Sequence, residues 1–224
     1  MKIICIIPAR KNSRRIKNKN IINFKDKPLI YHTISKAKKC REIDRVFVST
    51  DSKLIASIAK KYGAEVPFLR PKYLSSDNVH SSKVILEHTR KIYKNTNEEN
   101  IGVMMLLPTS PLIKTSSIKK CIKLFKKNIN SSVIAVNKFT KNLSSLRRIR
   151  QGKLVPVFKT SNFNVQTQSE KNFIVSGSVY IISKKNLDKY KTFHINNVIP
   201  CEISEQEAID INTHYDLKIA KINK

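Results

Sequence analysis

Tryptophan is missing and glycine is scarce: none and four, respectively, occur among 224 residues. Glycine takes positive φ more readily than any other residue, so Gly63, Gly102, Gly152 and Gly177 are each expected to mark a backbone position that requires it. Acidic residues are also few, 16 Asp and Glu against 44 Lys and Arg, giving a formal net charge of +28. The four cysteines, Cys5, Cys40, Cys121 and Cys201, lie far apart with no C-x-x-C pair or histidine-flanked spacing. That pattern excludes a zinc ribbon or redox motif and leaves buried free thiols. Long apolar runs are absent too. The opening M-K-I-I-C-I-I-P is too short for a signal peptide, and no stretch approaches the roughly 18 apolar residues of a membrane span. A cytoplasmic protein without membrane contact is expected.

What is present is a globular composition, with 40% hydrophobic residues in apolar runs spread from Met1 to Ala220, enough for one core and one domain spanning 1–224. A charge of this size steers polyanions, so nucleic acid is a candidate partner. Against it, lysines such as Lys36, Lys38, Lys39, Lys60 and Lys61 are scattered at helical spacing, and no block of five or six like charges occurs. Solvated helix faces account for the pattern, and nucleic acid is not the expected partner.

Along the chain, Ile3 to Ile7 is a continuous apolar run closed by Pro8, the pattern of a central parallel strand. Leu29, Ile30, Thr33, Ile34 and Ala37 recur at helical spacing over 28–39, with Pro28 suited to the first turn. Arg45 to Ser49 is a β-branched strand, after which Thr50 and Asp51 can cap a helix to about Lys61. Then follow an extended 65–69, a helix over 81–93, a strand over 101–107, a helix capped by Thr115 or Ser116, and a strand over 132–136. Past a weakly patterned excursion at 137–172, a strand over 177–182 and a helix over 214–222 close the chain. This βαβα alternation predicts an α/β fold, a mainly parallel sheet covered by helices, with ligands at the carboxyl ends of the strands.

The segment P-A-R-K-N-S-R-R-I-K-N-K-N at 8–20 follows the first strand directly and concentrates Arg10, Arg14, Arg15 and Lys19 where a ligand should sit. Guanidinium forks pair with phosphate oxygens and an ammonium adds point charge, so a triphosphate suits the loop. As a bare basic loop it could equally be a solvated turn or a nucleic-acid contact. A second constellation is Ile209-Asp210-Ile211-Asn212-Thr213, where a period of two puts Asp210 and Asn212 on one side. Two oxygen ligands for a hard cation would fit there, and so would a capped helix start.

The loop pattern P-A-R-x-x-S-x-R-I-x-x-K-N resembles the nucleotide-binding signature of the CMP-sialic acid synthetase (acylneuraminate cytidylyltransferase) family. Further pieces fall in the family's order: V-S-T-D at 48–51, G-A-x-V-P-F-L-R-P at 63–71, L-S-S-D at 74–77, P-T-S-P-L at 108–112 and G-S-V-Y-I at 177–181. The related 3-deoxy-manno-octulosonate enzymes normally end the first loop in Lys-Pro, where this chain has Lys19-Asn20. The resemblance implies a Rossmann-like nucleotidyltransferase that moves CMP from CTP onto the anomeric hydroxyl of a nine-carbon acidic sugar, expelling pyrophosphate. Arg10, Ser13, Arg15, Lys19 and Asn20 match the loop residues that contact triphosphate and cytidine, and Arg70 and Ser81 match residues near the cytidine, with a capping arginine and an N-cap serine as the plain alternatives. Arg10, Lys19 and Asp210 would carry the chemistry, with Mg²⁺ on Asp210 and Asn212.

Several positions depart from the family's pattern. Asn212 stands where aspartate is usual, Leu107 where a base-reading Gln is common, and Lys11-Asn12 where two glycines are frequent. The loss of that Gln leaves cytosine selection to backbone groups or relaxes it. The excursion at 137–172 corresponds to the family's dimerisation and sugar-contact segment, which implies a homodimer; Gln166 or Gln168 would be its substrate-binding glutamine. The rival readings are a same-fold enzyme for another acidic sugar or another base, and a non-catalytic basic nucleic-acid-binding protein.

Overall fold

The computed structural model describes residues 1–94, 98, 100–140, 146–157 and 171–223. Ten strands and six α-helices are described: β1 (Lys2–Pro8), β2 (Asn23–Phe24), β3 (Lys27–Pro28), α1 (Leu29–Lys39), β4 (Arg45–Ser49), α2 (Lys53–Lys61), α3 (Ser81–Ile92), β5 (Ile101–Leu106), α4 (Thr115–Lys127), β6 (Ser132–Lys138), β7 (Arg147–Arg150), β8 (Lys153–Pro156), β9 (Phe173–Ser183), α5 (Lys184–Tyr190), β10 (Val198–Glu202) and α6 (His214–Ile222). Six strands form one sheet in the order β10-β6-β9-β5-β1-β4. β1 pairs parallel with β4 and β5, and β10 pairs parallel with β6. β9 alone runs antiparallel, against both β5 and β6. The expected mainly parallel α/β sheet is therefore present.

Two cores follow from the period of two along the strands. Ile3, Cys5 and Ile7 of β1 face one cluster with Ile30 and Ile34 of α1, Ile55 and Ala59 of α2, and Ile118 and Phe125 of α4. Ile4 and Ile6 face the other, with Ile85 and Leu86 of α3, Leu187 of α5 and Phe193. Burial on both faces is why β1 reads as an unbroken apolar run. Gly102 on β5 shows what one glycine is for: a Cβ there would fall 2.5 Å from Ile3 Cδ1 and 2.6 Å from a Phe125 ring carbon. Any side chain would wedge α4 off the sheet. Gly177 has φ +77° and lies in β9 near the register shift between Ile134 and Val136, where a bulge bends the strand beside the ends of its neighbours.

Several local expectations are corrected. Helix α2 is capped by Ser52, whose hydroxyl accepts from Ile55 N, while Thr50 Oγ1 accepts from Ser52 N and Asp51 is used elsewhere. Pro28 precedes α1 as its N-cap position. Residues 65–69 contribute a single bridge, Glu65 to Phe47, and no strand. Neither Thr115 nor Ser116 caps α4. The buried carboxylate of Glu207 does so from a distance, accepting from Lys114 N at 2.9 Å and Ser117 Oγ at 2.6 Å. Burial pushes that carboxyl up, but the bonds from Ser117, Lys114 and Ser204 outweigh it and hold it below the usual range. Residues 209–213 are not a strand; Thr213 and Asp216 form a capping box that starts α6. All four cysteines are buried free thiols, as expected. Among the described residues, no helix is long and apolar enough to cross a membrane.

Candidate active site

Because β1, β4 and β5 are parallel neighbours, their carboxyl ends, Pro8, Ser49 and Leu106, lie at one edge of the sheet. The chain leaving β1 is held there by residues that are not its cations. Ala9 N bonds Ser49 O at 2.9 Å, and Lys11 N donates to Asp51 Oδ1 at 2.7 Å. The buried Asn20 donates through Nδ2 to Arg10 O at 2.9 Å, closing the loop at its base. Ile16, 2% exposed, packs into a small cluster with Phe24, Leu29, Ile211 and Ala220. Neither Lys11 nor Asn12 has a positive φ; the left-handed residue is Asn18, at φ 55°. The missing glycine pair therefore strains nothing.

The anchored loop forms one side of a cavity of about 410 Å³. Its lining brings together Arg10, Ser13, Arg14, Arg15, Lys19, Asn20, Arg70, Ser81, Leu107 and Asn212, most of the residues singled out in the sequence. Asp210 stands just outside the lining, tied to it through Asn212, and Gln166 and Gln168 lie outside the described residues. The P-T-S-P-L turn forms part of the rim: Pro108 and Thr109 line it, Ile211 N donates to Thr109 O at 2.8 Å, and the Lys36 ammonium bonds Pro111 O.

Lys19 joins the two walls. Its Nζ donates to Ile211 O at 2.9 Å and to Asn212 Oδ1 at 3.2 Å. Burial lowers its pKa, with Arg15 and Arg10 acting in the same direction and Asp210 and Asp216 opposing. Asn212 Nδ2 in turn donates to Asp210 Oδ2. The other carboxylate oxygen, Asp210 Oδ1, is buried with no partner among the described residues. A buried carboxylate oxygen left bare is costly unless a cation or donor arrives.

A residue whose role sequence reasoning missed is Asp77. Its two oxygens pair with Arg10 and Arg14, bridging the loop from the opposite wall. The hydrogen bond from Arg14, with the charge of Arg10 beside it, holds the Asp77 carboxyl below the usual range. The L-S-S-D motif pointed at this residue, but nothing in the sequence says that 77 meets 10 and 14. Arg70 is 7% exposed. Its Nε donates to Ser49 Oγ at 3.2 Å and its Nη2 to Ser49 O, and burial lowers its pKa to about 10. Ser81 is the first residue of α3 and not its cap; His80 holds that place. The backbone of Leu107 is already engaged, its carbonyl with Thr33 Oγ1 at 3.4 Å and its N with Ser178 O at 3.2 Å. With Ser110 N also donating to its carbonyl at 3.3 Å, the Leu107 backbone is fully used, so a backbone contact to a base would come from another residue.

The arrangement suits an anionic ligand that carries its own cation. Three comparisons place the chain among known proteins. The family model described as cytidylyltransferase matches residues 4–217. The chain is 32% identical to the CMP-N,N'-diacetyllegionaminic acid synthase of Legionella pneumophila, over 96% of this chain and 93% of that one. It is also 32% identical to the pseudaminic acid cytidylyltransferase of Campylobacter jejuni, over 99% and 96%. Among solved structures, a CMP:2-keto-3-deoxy-manno-octonic acid synthetase complexed with CTP has TM-score 0.74 at 13% identity, over 99% of this chain and 98% of that one; a likeness that distant speaks for the fold. The chain is a nucleotidyltransferase and belongs to the cytidylyltransferase family.

Proposed function

We propose that the chain transfers CMP from CTP to the anomeric hydroxyl of a nonulosonic acid, releasing pyrophosphate. The observation that carries this reading is the cavity itself: anchored cations on one wall and an unpartnered buried carboxylate oxygen close behind the other. Arg10, Arg15 and Lys19 hold the triphosphate, with Ser13 in reach of the same oxygens. Arg70 and Ser81 face the base, since Arg70 spends two of its nitrogens on Ser49 and Nη1 has no partner among the described residues. Asn20 acts by fixing the Arg10 backbone. No protein nucleophile is needed, because positioning and charge neutralisation do most of the work in such a displacement.

The donor set fits Mg²⁺. That ion binds through one or two carboxylates together with substrate phosphates and water, and Asp210 offers one bare buried oxygen. No cluster of three or more His, Cys, Asp or Glu occurs among the described residues, so the remaining ligands would come from nucleotide and solvent. When bound, the ion would offset charge on the phosphates. Asn212 orients Asp210 through its amide and receives Lys19.

The sugar is assigned to the nonulosonic class on the relatives' names, two of which are a legionaminic and a pseudaminic acid enzyme. Homodimerisation is part of the proposal. Ile149 and Leu154 on the β7–β8 hairpin are 75% and 71% exposed, and Phe173, Ile174 and Val175 at the start of β9 are exposed as well, an apolar surface that a second copy would cover. The test is pyrophosphate release with all four NTPs across sialic, legionaminic and pseudaminic acids and 3-deoxy-manno-octulosonate. Activity with CTP and a nine-carbon acid is expected. Preference for the octulosonate, or for another base, would overturn the assignment.

A further inference from the structure

A second cavity of about 470 Å³ lies beside α3 and shares Arg70, Leu74 and Val84 with the first. Its size is that of an ordinary small-molecule site. On its lining sits His88, 2% exposed, with neither ring nitrogen hydrogen-bonded among the described residues. The ring lies 5.9 Å from that of Phe47 and 4.6 Å from that of Phe68. Burial, aided by the charges of Arg70 and Lys91, lowers its pKa to about 3. The imidazole is thus neutral at physiological pH, with one donor and one acceptor to offer. A buried polar group without a partner is uncommon in a folded protein and calls for an occupant or a solvent molecule. A structural histidine kept for packing alone would more cheaply have been an apolar ring.

The rest of the cavity narrows the occupant. Phe68 and the 65%-exposed Tyr73 supply aromatic surface, which favours a flat ring stacked or set edge-on. The rim is cationic: Lys91 Nζ lies 4.1 Å from the Phe68 ring centroid, Lys94 stands nearby, and the one acid, Glu87, is paired with Arg90. Ammonium groups at that mouth favour an anionic tail. We propose that this cavity is a second ligand site, which takes a planar ring with a hydrogen-bonding edge against His88 and an anionic tail at Lys91 and Lys94. A nucleoside monophosphate and an aromatic carboxylate share that chemistry.

The test is calorimetric titration of the full chain with CMP and with 4-hydroxybenzoate, each without and with saturating CTP and no acidic sugar. At least one of the two should bind one-to-one with CTP present, and the pair distinguishes the source. His88→Phe should weaken that binding about tenfold or more, as loss of a buried hydrogen-bond partner does. Lys94→Glu and Tyr73→Ala, both at exposed side chains, should weaken it several-fold while leaving the fold intact. Arg10→Ala should leave it unchanged. If neither probe binds, if CTP displaces it, or if binding survives all three substitutions, the second site does not exist. Should CTP itself fail to bind, the catalytic reading fails, while the His88, Lys94 and Tyr73 arms still decide this one.

Discussion

The two walls of the first cavity differ in how they are held. On the loop wall, Arg10, Arg14, Arg15 and Lys19 project from a backbone fixed by Asn20, Ile16 and Asp51, so the course of the loop does not rest on its cations. On the facing wall Asp77 and Asn212 are engaged with neighbours, and Asp210 just behind it keeps one oxygen bare. A wall of cations held by a separately anchored backbone should govern how tightly an anionic ligand binds. A wall whose groups brace one another should govern where a bound charge is placed, and its single bare oxygen should matter most.

The largest effect should therefore come from Asp210→Asn. An amide cannot supply the charge of the bare oxygen, and turnover should fall by roughly 1000-fold, the upper range for removing one preorganised charge-stabilising group. The melting temperature should hardly move, because no described residue depends on Oδ1. Steady-state pyrophosphate release with a thermal melt checks both. An Asp210→Asn enzyme that retains activity would erase the distinction between the walls.

Next come Arg10→Ala and Lys19→Ala, each expected to lower turnover by about 100-fold. Their stabilities should separate. The Arg10 pair with Asp77 is about a third exposed, and such pairs contribute little. Lys19, by contrast, binds Ile211 O and Asn212 from a partly buried position, so Lys19→Ala should also lower the melting temperature. Equal melting temperatures would show that Lys19 does not join the walls.

This contrast also explains what the sequence made legible. The loop wall could be read because its chemistry is local: a β-branched run, a proline, then cations within a dozen residues. β1, β4 and α6 fall close to their expected limits for the same reason. What escaped depends on contacts distant along the chain. Glu207 caps α4 from 90 residues away, so no cap could be found at Thr115 or Ser116. β10 was overlooked because Val198–Glu202 is short and contains Pro200, which an edge strand tolerates. Asp77 stood in a quoted motif, yet its partnership with Arg10 and Arg14 exists only once the loop after β1 meets the segment before α3.

A smaller effect is expected at Asn212. Asn212→Asp replaces an amide that donates to Asp210 with a second carboxylate, while Lys19 remains beside it to balance the charge. A hard dication gains more from a charged oxygen than from a neutral one. The Mg²⁺ concentration for half-maximal activity should fall several-fold, by about 1 kcal/mol or less, with maximal turnover little changed. An unchanged metal profile would mean that Asn212 only positions its neighbours.

The smallest effect should come from Asp77→Asn. In the free chain Asp77 places a carboxylate on Arg10 and Arg14, the groups a triphosphate would use, so binding exchanges one anion for another. Removing the charge spares the ligand that exchange, but the pairs are solvent-exposed and strongly screened, so the half-saturating CTP concentration should fall only about threefold. Turnover should not rise, because the exchange is complete before the displacement begins. Since Arg14 and Arg10 hold the Asp77 carboxyl below its usual range, it is ionised throughout the neutral region. The gain should then be flat across pH and should shrink as salt shortens the Debye length. A raised half-saturation would show instead that Asp77 steadies Arg10 for the nucleotide, and would move this residue from the opposing wall to the loop's own framework.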